Sequence, residues 1–231
     1  MNPASLVDRL RRHPLRDALL ALVAVSAVGC AVVALRSILV GQGRHLFLIW
    51  NLFLAWLPLL LVLAIEEGRR RQWLGGWRMA ALFGAWVLLL PNAPYILTDF
   101  VHLKHSAPRH WWTDLTLILW FSLAGLLLGF AALRRMQHVL AEPLGQRRAF
   151  VITLALIPLI AFGIYIGRFE RWNSWDVVVQ PIALINDMPN WFHRSSIKFT
   201  LLFSLLLGAV HLMLTMTGSL MNRRLEPIHE S

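Results

Sequence analysis

Six apolar runs decide what this chain can become: roughly residues 18–40, 46–65, 77–97, 114–133, 149–167 and 197–218. A helix needs about 20 mostly apolar residues to cross a bilayer, and six such runs leave little chain for anything else. The composition agrees. With 58% hydrophobic residues, only 15% charged and eleven Trp in 231 residues, the chain lies outside the range of water-soluble domains of its size. The expected fold is all-α, a polytopic membrane helix bundle of about six transmembrane helices. No Ser/Gly linker, low-complexity tract or charge block divides it, so residues 1–231 are read as a single integral membrane domain.

The formal net charge of +10 would suggest nucleic acid if the basic residues formed a stripe on a polar domain. Here they fall in short clusters between apolar runs, which excludes that class and makes the lipid bilayer the expected partner. Arg9, Arg11, Arg12, Arg16, Arg69, Arg70, Arg71, Arg78, Arg134, Arg135, Arg147, Arg148, Arg223 and Arg224 fall on one side of the membrane. Arg36, Arg44, Lys104, Arg109, Arg168, Arg171, Arg194 and Lys198 fall on the other. The imbalance of fourteen against eight places both termini in the cytoplasm by the positive-inside rule. The N-terminus imitates a signal peptide up to Cys30, but the apolar run continues through Ala34, so it reads as an ordinary first span. A single cysteine forms no intrachain disulfide and no Cys-based metal site.

Small residues recur at i, i+4 in three spans, as Ala81 with Ala85, Gly125 with Gly129, and Gly163 with Gly167. That spacing lets helix backbones approach closely and is expected to serve internal packing.

The most unusual segment closes the third span: Leu90, Pro91, Asn92, Ala93, Pro94, Tyr95, followed by Thr98, Asp99 and His102. Two prolines remove amide donors and free carbonyls near Val87 and Leu90, one of which Asn92 is placed to satisfy. Broken backbone at membrane depth is tolerated only against protein or a water-filled cavity, so this span is a candidate cavity wall. If an α-helix resumes after Pro94, Tyr95, Asp99 and His102 share a face. The fifth span ends in a comparable polar run, Gly163, Tyr165, Gly167, Arg168, Glu170, Arg171, Asn173, Ser174 and Asp176, on the same outer side. Arg168 and Arg171 run against the charge bias and call for a partner such as Asp99, Asp176 or an anionic ligand group. The apolar, Pro-punctuated stretch from Val177 to His193 is expected to lie along the outer interface between helices five and six and to roof the site.

Asp99, His102, Arg168 and Asp176 are thus the catalytic candidates, with Asn92, Tyr95, Tyr165, Asn173 and Arg171 as substrate-binding candidates. Structural alternatives accompany them: Asp176 as a helix-start residue, Thr113 and Asp114 opening the fourth span, and Arg168 locked to Asp99. No cofactor is evident. A divalent metal would need Asp99 and His102 joined by Glu170, Asp176 or His193, and no HExxH run supports it. Neither a Gly-x-Ser-x-Gly elbow nor a nucleotide-binding glycine pattern occurs.

These two segments resemble the bacterial integral membrane family called domain of unknown function 1361. The resemblance rests on Leu90 to Ile96 leading to Thr98, Asp99, His102 and Leu103. It rests equally on Gly163, Tyr165, Gly167, Arg168 and Phe169 leading to Asn173 through Asp176. It covers about residues 40–215 and implies a multi-pass bacterial membrane protein, with no activity attached. Glu170, Arg171, His105 and His193 lie outside it.

Three functions follow as expectations. The first is a membrane enzyme with an Asp/His/Arg site opening to the extracytoplasmic face, acting on a lipid-linked or membrane-resident substrate. His102 or Asp99 would act as base and Arg168 as anion holder. The second is a non-catalytic assembly or partner protein whose polar cluster pins helix ends. The third is a small transporter or channel, against which stands the absence of a Pro-broken sixth span to match the third.

Overall fold

The computed structural model describes residues 14–41, 43–72 and 75–225, with side chains between Arg16 and Thr217. Arg9, Arg11 and Arg12, counted in the charge balance, lie outside the described residues, as do the side chains of Arg223 and Arg224. Every regular element among the described residues is helical: α1 (Pro14–Val40), α2 (Leu46–Arg70), α3 (Gly76–Leu89), α4 (Asn92–Tyr95), α5 (Trp111–Leu144), α6 (Gln146–Tyr165), α7 (Asp176–Val179), α8 (Pro181–Asp187) and α9 (Arg194–Leu225). Short 3₁₀ segments follow α4, precede α5 and follow α8, and a π turn extends α6 through Glu170.

Six helices are long and apolar enough to cross a membrane, matching the six runs: Arg16–Val40, Leu46–Arg70, Gly76–His105, Pro108–Leu144, Gln146–Glu170 and Arg194–Thr217. Several outrun the apolar stretch because polar and amphipathic residues extend a helix past the hydrocarbon without breaking its backbone bonds. The fifth span turns back from the fourth through Gly145, whose φ of +83° admits glycine without strain.

The fourth span is the axis of the bundle. Half of its apolar window is buried, against 17% for the first and 11% for the sixth, and it packs on the first, second, third and fifth. Phe121, Ile118, Leu128 and Met136 on this helix form the core with Leu48 and Leu59 of α2. Lipid tails are as apolar as these side chains, so close contact of backbones decides the packing.

The glycines show where. A Cβ on Gly125 would overlap the Ala93 carbonyl oxygen, and one on Gly129 would sit 3.1 Å from the Ala93 Cβ. From the other side, a Cβ on Gly163 would stand 2.5 Å from Pro91, and one on Gly167 would stand 3.2 Å from the Tyr95 ring. The expected internal packing is therefore aimed at one target: the broken segment of the third span is clasped between four glycines. Ala81, by contrast, is exposed.

Candidate functional site

The break in the third span is mended by side chains. Ala93 N–H turns to the Leu90 carbonyl at 3.3 Å, so one of the two carbonyls that the prolines free is met by the backbone, and the carbonyls that side chains meet are those of Leu88 and Leu89. Asn92 Nδ2 donates to Leu89 O at 2.9 Å. Ser174 Oγ, from the segment before α7, donates to Leu88 O at 3.0 Å and accepts from Asn92 Nδ2 at 3.1 Å. The loop after the fifth span thereby caps the third.

Beyond Tyr95 the chain continues as a 3₁₀ helix from Ile96 to His105, not as the α-helix expected there. At three residues per turn, Tyr95 and Thr98 stack on one ridge and Asp99 and His102 on the next, so the shared α-helical face is replaced by two adjacent ridges. Arg168 lies across both. Its Nη2 is bonded to Asp99 Oδ1, its Nε donates to Thr98 Oγ1 at 2.8 Å, and its guanidinium carbon lies 4.6 Å from the Tyr95 ring centroid. Asp99, 1% exposed, also accepts from Asn51 Nδ2 of α2 at 2.8 Å. His102 stands near it, Nε2 at 3.9 Å from Asp99 Oδ1, with its side chain 43% exposed. The π turn Ile166–Glu170 carries Arg168.

A cavity of about 400 Å³ opens beside this lock, between the second, third and fifth spans. Asn51, Asn92, Tyr95, Asn173 and Ser174 supply its polar lining, with Trp50, Trp172 and Trp191 as aromatic walls. Leu184 and Val177 close it from above, so the segment between the fifth and sixth spans does form a roof. The outward face of that roof is apolar, with Val178, Val179, Ile182 and Ile185 all well exposed. Asp187 ties the roof together, its Oδ2 accepting from Trp172 Nε1 at 2.6 Å and Trp191 Nε1 at 3.0 Å. With Asn190 as a further donor, these bonds hold its carboxyl below the usual carboxylate range.

The remaining candidates separate. Asp176 is buried, and its Oδ2 accepts from Asn173 N at 2.6 Å and Asn173 Nδ2 at 3.2 Å; it closes the turn that presents Asn173. Tyr165 points away from the cavity, its hydroxyl 2.9 Å from His193 Nε2 and its ring packed on Phe169 and Phe199. Arg171, with φ +62°, borders a separate open groove together with Glu170 and Asp176. Asp114 does stand in the first turn of α5, but its side chain pairs with Arg36 of α1. His45 completes that cluster, Nδ1 2.7 Å from Arg36 Nη1 and Nε2 3.6 Å from Asp114 Oδ1. Burial lowers the His45 pKa, Arg36, Arg44 and His102 lower it further, and Asp114 opposes them. Among the described residues, no three His, Cys, Asp or Glu side chains converge to hold a metal ion.

Sequence reasoning missed Asn51, Asp187, the capping of the third span by Ser174 and the Arg36–His45–Asp114 cluster. Asn51 carried a usable signal, since a lone amide near the start of an apolar run calls for a polar partner. Asp187 carried none, because its partners are indoles otherwise explained by an interfacial belt.

Residues 50–210 match the model of a family described as a protein of unknown function (DUF1361). No curated protein and no solved structure gives a significant match.

Proposed function

We propose a function from one premise: the chain belongs to the DUF1361 family, whose activity is unknown, so the geometry of its own residues must carry the reading. The proposed role is capture of a membrane-resident amphiphile in the cavity between the second, third and fifth spans, at the extracytoplasmic face. One observation carries it. The cavity combines a polar interior with a mouth of lipid-facing side chains, Trp50 at 53% exposure, Leu88 at 38% and Leu159 at 55%. A head group enters such a site while its tails stay in the bilayer, the pattern of a mostly apolar pocket with few convergent polar groups.

Native mass spectrometry of protein released from lipid nanodiscs tests this reading, with Leu88→Trp as the blocking variant. Wild type is expected to retain a lipid adduct and the variant to lose it, while both melt at similar temperatures. Equal retention by the two proteins overturns the reading.

A second reading, catalysis on a membrane-resident substrate at the Asp99–His102 pair outside the cavity lining, is favoured by the accessible His102 beside buried Asp99. Asp99 would orient the imidazole as a general base. Arg168 is committed to Asp99, Thr98 and the Tyr95 ring, so it serves as a fastening here rather than as the anion holder. Unchanged envelope lipids and glycans in cells carrying only His102→Ala remove this second reading.

A further inference from the structure

The polar side of the cavity has a sign. Asn51 Nδ2 donates to the Asp99 carboxylate, Asn92 Nδ2 to the Leu89 carbonyl and Asn173 Nδ2 to the Asp176 carboxylate. Each of these acceptors is an oxygen that can only accept, so in all three amides the nitrogen is fixed on the protein side. What remains for a ligand is the carbonyl oxygen of each, none of which accepts a hydrogen bond within the described structure, together with the second N–H of Asn51 and of Asn173. A ligand that brings donors therefore finds three unengaged acceptor oxygens here.

The walls have the same sign. Trp172 and Trp191 both direct their indole N–H at Asp187, which occupies the positive edge of each ring and leaves the electron-rich faces for a guest. No Lys or Arg lines the cavity. Behind its lining stand the carboxylates of Asp99, Asp176 and Asp187, against the guanidinium of Arg168, which Asp99 already holds, and that of Arg171, which borders the neighbouring groove beside Glu170. An anionic group would meet carbonyl oxygens, with carboxylates behind them and no cation in the lining. An ammonium would meet carbonyl acceptors, indole faces and a favourable field.

We propose that the cavity selects an ammonium head group, as carried by an aminophospholipid or a lipid-linked amine. This rests on the amphiphile reading and adds the head group's charge and donor character. The shared chemistry also admits a soluble amine, which the experiment separates.

The test is a melting titration of the purified full chain in a neutral detergent with four probes. These are dihexanoylphosphatidylethanolamine, dihexanoylphosphatidylglycerol, a dihexanoyl glucosylglycerol and tail-free phosphoethanolamine. The ethanolamine lipid is expected to raise the melting temperature saturably by about 3 °C or more, as a ligand that binds only the folded state does, and the other three to have little effect. Trp50→Leu, on the exposed rim, should weaken that titration by about threefold to thirtyfold. A phosphatidylglycerol or glucolipid shift equal to or above the ethanolamine one overturns the ammonium and leaves the amphiphile reading standing. An equal shift from tail-free phosphoethanolamine upholds the ammonium and overturns the amphiphile. No shift from any probe overturns both. An unweakened titration in Trp50→Leu overturns the aromatic part of the assignment.

Discussion

Asp99 and Arg168 show why a charge placed at membrane depth is informative. Each is costly alone, and together they offset that cost only because Asn51, Thr98 and Tyr95 complete the contacts around them. Asp99→Asn leaves a largely buried guanidinium without its counter-charge and is expected to cost about 3–5 kcal/mol, read as a drop in melting temperature in one detergent at one pH. Adding Arg168→Met to Asp99→Asn should recover part of that loss, since removing both charges is far less costly than orphaning one. A single variant that melts with wild type would mean that the pair is not a fastening. Asp187 offers a pH test of the roof. Its pKa is depressed by N–H donors that bond the carboxylate, so the stability it contributes is complete above the unfolded value of about 3.9. That contribution is lost as pH falls from there through the folded value. The emission of Trp172 and Trp191 should therefore change below about pH 4 in a transition that Asp187→Asn abolishes. A transition persisting in the variant would assign it to another carboxylate.

At the scale of elements, the third span is a helix that cannot close its own hydrogen bonds and borrows its neighbours to do so. Ser174 caps it, Arg168 pins it, and Gly125, Gly129, Gly163 and Gly167 let the fourth and fifth spans close on it. Gly125→Ala places a methyl against the Ala93 carbonyl and is expected to cost about 1–3 kcal/mol by overpacking. Gly84→Ala, with open space around its Cβ, should be neutral or stabilising by up to about 1 kcal/mol. Thermal melts of the two variants decide this, and equal effects would mean that the clasp is loose. Much of this was legible in the sequence, because bilayer length, paired prolines and i, i+4 glycines each leave a one-dimensional mark. Legible too was the pairing of Arg168 with a carboxylate, since an arginine at the end of an apolar span calls for a counter-charge and Asp99 closes a span that ends on the same side of the bundle. The 3₁₀ geometry after Tyr95 was not legible, because propensity does not distinguish it from an α-helix once tertiary bonds to Arg168 take over. Nor was the separation of Tyr165 and Arg171 from the cavity, which depends on the π turn and on the left-handed Arg171 backbone.

On the scale of the whole molecule, the ends of the bundle differ in kind. At one end, Arg69, Arg70, Arg71 and Arg135 are compensated by Glu66, Glu67 and Glu142 in exposed or partly exposed pairs. At the other, besides exposed basic residues such as Lys104 and Arg109, two clusters are buried, Asp99–Arg168 joining the third and fifth spans and Arg36–His45–Asp114 joining the first and fourth. The first end is a solvated basic surface of the sort retained in the cytoplasm, and the second is a constructed interior with a roof. If the cavity takes a ligand from the extracytoplasmic leaflet, the roofed end must face outward. With Cys30 replaced by Ala, a membrane-impermeant thiol reagent applied to intact cells should label Ala107→Cys, on the exposed loop at the roofed end. It should reach Gln146→Cys, exposed at the opposite end, only after the membrane is opened. The reverse pattern would invert the bundle, and the cavity would then draw its ligand from the cytoplasmic leaflet through the same mouth of Trp50, Leu88 and Leu159.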